Sequence, residues 1–196
     1  ETVVSSRSGH DCVELATEQP EPLGEFRQAV METAAVTARA ADTVEERAGK
    51  LAELSEAYAC LGQVELADAI AQETLPFIEQ IEAAAVKGDL LVTLAAAYGE
   101  HIGDTARMDE LLVDAIALAE MLSQDSSRQS SLVGDIVRLY SRAGEYRKIR
   151  EVVDIVDDEF TRSQLIHSGL FFIQEMADQV RFESGEGVAS DNPILH

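Results

Sequence analysis

Gly62, Gly103 and Gly144 fall 41 residues apart, and each closes a stretch whose apolar residues recur every three or four positions. A glycine just past a helix end can take the left-handed backbone conformation that a Cβ disfavours. The spacing therefore predicts three helix stops in one register. Ahead of the glycines stand Tyr58, Tyr98 and Tyr140, with Leu54, Leu94 and Ile136 about one turn earlier. Leu51, Leu91 and Leu132 extend that stripe another turn. Past each glycine a second face repeats: Ala67, Ile70, Ala71 and Thr74, then Met108, Leu111, Leu112 and Ala115, then Ile149, Val152, Val153 and Val156. The spacing is one face of a helix. Three units agreeing on both helices constitute an internal repeat, and such pairs bury their apolar faces only by stacking on one another.

The units run at about 44–83, 84–124 and 125–160 within a single domain expected over 23–183. A helix over Leu23–Ala41, with Phe26, Val30, Ala34 and Ala41 on one face, precedes them and closes one end. A terminal helix over 161–183, carrying Leu165, Leu170, Phe172, Ile173 and Met176, closes the other. Thr43 and Glu46 fit a capping box before the first unit. Pro76 lies inside a second helix and should kink it or end it early. Residues 1–22, polar and broken by Pro20 and Pro22, read as a flexible arm, and 184–196 as a flexible tail.

The residues Leu54, Ser55, Tyr58, Gly62, Ala67, Ala71 and Thr74 resemble a tetratricopeptide repeat. The second unit keeps Leu94, Ala95 and Tyr98, with one extra residue before Gly103 and Met108 in place of the small residue. The third keeps Ile136, Tyr140 and Gly144. The resemblance covers about 45–160 and implies an all-α fold, an α-solenoid of tandem antiparallel helix pairs with a concave inner face. The family period is nearer ~34, and HEAT-type repeats at ~40–47 are an alternative.

Composition agrees with helices. Ala and Leu carry most of the apolar content, aromatics are 5% of the chain and Trp is absent. Fifteen basic residues against 37 acidic ones leave a formal charge of −22. That field argues against nucleic-acid binding and against anionic lipid surfaces; it is otherwise read as solvation or as adaptation to a salty medium. No stretch reaches the ~20 apolar residues that span a bilayer, so no membrane insertion is expected. No signal peptide is read at the N-terminus. An opening on Glu1 allows a processed exported protein or a trimmed one, so the compartment stays open. Cys12 and Cys60 are too few for a disulfide framework. The simpler reading is two unpaired thiols; the alternative is a pair made by the arm folding back.

Chemistry is scarce. His10, His101, His167 and His196 lack metal-ligand spacing, and His10-Asp11-Cys12 lies in the expected flexible arm. No nucleophile elbow, phosphate loop or dinucleotide fingerprint is present, so no enzyme, cofactor or metal is expected. One local feature departs from the acidic background: Arg138, Arg142, Arg147, Lys148 and Arg150 crowd 13 residues. Arg138 and Arg142 are one turn apart, away from the apolar stripe. The resemblance would put them on the concave groove, with Glu56, Asp89 and Glu100 upstream. One reading pairs the arginines with carboxylates such as Asp135 and Glu145 as a solvated face. The other makes them an anchor for an acidic peptide or chain-terminal carboxylate, since guanidinium forks bind carboxylates bidentately. The functions expected are therefore a scaffold that binds a protein or peptide segment, or a self-associating assembly protein forming homo-oligomers.

Overall fold

The three repeat glycines have φ of +72°, +79° and +74°, and among the described residues they alone have positive φ. The structure, a computed structural model, describes residues 21–169. It is all-α over that span. Helix α1 is Glu21–Arg39, α2 Val44–Cys60, α3 Val64–Glu79 and α4 Ala84–Ala96. A π-helical turn, Ala97–Ile102, continues α4. Then come α5 Thr105–Met121, α6 Ser126–Arg142 and α7 Tyr146–Val153, and α8 is helical over 159–169.

In the first and third units the glycine turn closes identically. The Gln63 N–H donates to the Tyr58 carbonyl at 2.9 Å and the Gly62 N–H to Ala59 at 2.9 Å. Glu145 and Gly144 make the matching bonds to Tyr140 and Ser141 at 2.9 and 3.2 Å. These nested bonds satisfy carbonyls that a helix end otherwise leaves bare. The second unit has one residue more between its tyrosine and its glycine, and the π turn absorbs it. There the Tyr98 carbonyl accepts from both Gly103 and Asp104. A single widened turn takes up the insertion and leaves the register on either side intact.

That turn also explains the large residue at 108. A Cβ placed on Gly99 would overlap the Met108 sulfur, and Met108 is fully buried where the first unit has Ala67. Gly99→Ala is expected to lower stability by about 1–3 kcal/mol, the usual cost of overpacking. Met108→Ala in the same chain should recover part of it; urea unfolding of the single and double variants checks this, and strictly additive losses would contradict it.

Within each unit the two helices pack along one another, and the first helices α2, α4 and α6 pack in succession. Every residue of the predicted stripes on both helices is buried. Thr43 caps α2 as expected, accepting from the Glu46 N–H at 3.1 Å. Asp104 and Asp125 cap α5 and α6 in the same way, at 3.0 and 3.2 Å.

Four expectations need correction or restriction. Helix α1 buries Ala35 and Ala38, while Phe26 and Val30 are 67% and 48% exposed. Only one side of α1 meets α2, and it is the alanine side that allows close approach. Helix α3 runs through Pro76 to Glu79 rather than ending early, because Ala71, Thr74 and Ile78 on both sides of the proline are buried. Cys60 is disulfide-bonded and not an unpaired thiol. The last helix begins at 159, with Asp158 accepting from the Thr161 N–H at 2.7 Å. Most of the arm expected over 1–22, the expected tail over 184–196, and Leu170, Phe172, Ile173 and Met176 lie outside the described residues, as do His10, Cys12 and His196.

Candidate functional site: a charged face on three successive helices

Because α2, α4 and α6 share one register, residues two before or two after the stripe tyrosines fall in rows across the helices. Glu56 and Arg138 occupy the first kind of position, and Cys60, Glu100 and Arg142 the second. The rows meet in space. Arg142 Nη1 lies 2.6 Å from Glu100 Oε1, and Glu56 feels the charges of both Glu100 and Arg138. Asp89 faces Asp135, which accepts from Arg138 at 3.3 Å. His101 joins them beside Glu100 and Arg142.

Of the six residues singled out in the sequence, Glu56, Glu100, Arg138 and Arg142 are thus brought together, and Asp89 connects through Asp135. Arg147 is not brought to this face by any interaction among the described residues. It is exposed on α7, the second helix of its unit. The basic cluster therefore divides. Lys148 binds Asp109 at 2.5 Å and sits 5.3 Å from the Tyr140 ring centroid. Arg147 and Arg150 are exposed, with no ion pair among the described residues. Arg142 pairs with Glu100 of the preceding unit rather than with Glu145.

The face is short of positive charge. Burial raises Glu56, the neighbouring Glu100 adds to the rise, and Arg138 offsets part of it. Burial likewise raises Asp89, with Asp135 adding, and raises Asp135, with Arg138 opposing. His101 is lowered by burial, against the pull of Glu100. Arg138 keeps a buried Nε without a hydrogen-bond partner.

A carboxyl raised by folding holds its proton more tightly in the folded chain than in the unfolded one. Its contribution is stabilising when protonated and is lost as pH rises through the folded value. Glu56→Gln should accordingly stabilise the protein at pH 7, with the gain shrinking as pH falls through the raised folded value and gone below the ordinary carboxylate value. Urea midpoints of native chain and variant across pH 4–8 would show the two curves converging on the acid side; parallel curves would contradict it.

The sequence reading missed a second set of residues. Tyr98 donates to Asp68 at 2.5 Å and Tyr140 to Asp109 at 2.8 Å. In each case the tyrosine of one unit reaches the second helix of the unit before it. Asp68 and Asp109 both stand six residues past their glycine, so the register did carry the signal. The third unit has Arg150 there. These bridges hold units together and leave the charged face to its own partners.

Among the described residues no group of three or more His, Cys, Asp or Glu could hold a metal ion. His167 is exposed on α8, and no described helix is long and apolar enough to cross a membrane. The chain is thus an all-α protein with a charged face spanning three helical units. No protein-family model, curated protein or solved structure matches it.

Proposed function

We propose that this protein is a non-catalytic interaction scaffold: a tetratricopeptide-like α-solenoid of antiparallel helix pairs whose first helices present a face that binds a protein or peptide segment. The observation that carries the reading is the assembly of Glu56, Glu100, Arg138 and Arg142 from three successive first helices into one connected face. Arg138 is the anchor for an acidic group. Its partner Asp135 is held only at 3.3 Å, and its Nε is unmet. The Arg138 side chain is partly exposed, and a carboxylate arriving at the open part of its guanidinium would add a second acceptor to that one long contact. Glu56 and Asp89 would meet basic residues of the same segment, since the face is acidic toward α2 and basic toward α6.

Affinity capture from a cell extract with the immobilised full chain tests this. Arg138→Glu with Arg142→Glu should reduce a specifically held protein at least about tenfold, the effect of losing about 1.4 kcal/mol or more of binding. Arg142→Gln controls for the repulsion that Arg142→Glu would create against Glu100, and unchanged helical content shows the fold intact. Equal retention by native chain and variants would remove the face from the proposal. A second reading, self-association without a separate ligand, is favoured by Phe160, which is 70% exposed at the start of α8. A mass that rises with concentration and falls back in Phe160→Ser would support it.

A further inference from the structure

Beside the contact of α1 with α2 the two helices leave a groove of about 720 Å³. Its walls are apolar: Phe26, Val30 and Ala34 follow one another along α1, and Leu54 and Ala57 stand on α2. Phe26 and Val30 are exposed although they lie one turn apart, the pattern of a face that buries against another element. The polar groups of the lining are nearly all spent. The Thr33 and Thr37 hydroxyls donate to carbonyls of their own helix, at 2.8 and 2.9 Å. Lys50 pairs with Glu46 at 2.6 Å. Glu53, the other charged residue of the lining, has no ion pair among the described residues. It stands one turn from Glu56, and its charge helps to raise that carboxyl, so the groove opens onto the α2 end of the charged face. An incoming group therefore meets apolar surface edged by an unneutralised carboxylate, on a chain of net charge −22. Charge complementarity selects a cationic, amphipathic occupant and rejects an acidic one.

We propose that this groove docks an amphipathic helix of a partner protein, with its apolar side chains between α1 and α2 and a lysine or arginine at its edge against Glu53 and Glu56. Helices laid into apolar grooves are held by residues at successive turns, i, i+3 or i+4, and i+7. From Phe26 to Ala38, both in the lining, α1 rises about 18 Å, so a helix of about twelve residues fills the groove. The docked helix is one part of the segment that the scaffold face binds, so the assignment rests on that reading. Its apolar anchors lie at α1 and α2, and the chain beyond them runs on toward Arg138.

The probe is a labelled synthetic helix with leucine at every third or fourth position and lysine elsewhere. It is titrated with the full chain at about 0.15 M salt, where exposed charges are screened beyond about 8 Å. It should bind at least about tenfold more tightly than a peptide of the same composition in scrambled order, the equivalent of burying one leucine. Phe26→Ser with Val30→Ser should abolish that preference at unchanged helical content, since both side chains are exposed in the free chain. Glu53→Lys should weaken the lysine peptide and strengthen its glutamate counterpart. Arg138→Gln should not weaken the lysine peptide, which carries no acidic group. Equal binding of the patterned and scrambled peptides would overturn the groove assignment and leave the scaffold face standing. Capture insensitive to Arg138, with the peptide preference intact, would count against the face alone. A mass that rises with concentration and falls back in Phe26→Ser would overturn the proposal in favour of a second copy of this chain.

Discussion

Replacing Tyr140 by alanine is expected to destabilise the protein by about 3–5 kcal/mol, the range for removing a large aromatic side chain from a core. Tyr140 is among the largest fully buried side chains of the structure, 1% exposed. It packs in the stripe with Leu132 and Ile136, and its hydroxyl donates to Asp109 at 2.8 Å. Tyr140→Phe keeps the ring and should lose only about 0.5–1.5 kcal/mol, because Lys148 still satisfies Asp109 at 2.5 Å. The gap between the two variants, read by urea unfolding of the full chain, separates packing from the bridge to the preceding unit. If phenylalanine and alanine cost the same, the hydrogen bond and not the packing holds the third unit in place.

The second large effect is a loss of stability above pH 10. Burial, and next to it the Asp68 carboxylate that accepts a hydrogen bond from its hydroxyl, push Tyr98 up to about 12. Tyr140 is raised as well, by burial and by Asp109. A phenol whose folded value lies above the unfolded one stabilises the protein fully below about pH 10. That contribution disappears as pH rises toward the folded value, since the unfolded chain ionises first. A rise of that size for Tyr98 corresponds to roughly 3 kcal/mol. Stability should thus hold from pH 8 to 9 and fall steeply between 10 and 12, with phenolate absorbance appearing together with unfolding. Tyr98→Phe should flatten part of the fall. Phenolate formation for all tyrosines near pH 10 in a still-helical protein would contradict the bridges.

Much of the architecture was legible in the chain. The helix stops, the capping threonine and the buried stripes all follow from local physics. A left-handed turn wants glycine, and a buried helix face must repeat every three or four residues. Even the one awkward insertion before Gly103 was visible, though not that a π turn would absorb it. The candidate face was only half legible. Periodicity put Arg138 and Arg142 on the side of α6 away from its apolar stripe, and the repeat resemblance put Glu56, Asp89 and Glu100 at equivalent positions upstream, but Arg147, chosen for its place in a basic run, belongs to a second helix. Charge density along a sequence does not report which helix of a pair a residue rides on.

What the sequence by itself determined was therefore the repeat, its register and the all-α class, because those depend on residues within one or two turns of each other. Only the tertiary structure decided the partners. Arg142 meets Glu100 across 42 residues, and the tyrosine bridges span 30 and 31. It also decided that α1 buries its alanines and leaves Phe26 and Val30 open, and that Cys60 is bonded. Each of these is a choice between faces or partners that look equivalent along the chain. The choice is made by how closely one helix can approach the next, a quantity set by the side chains of both.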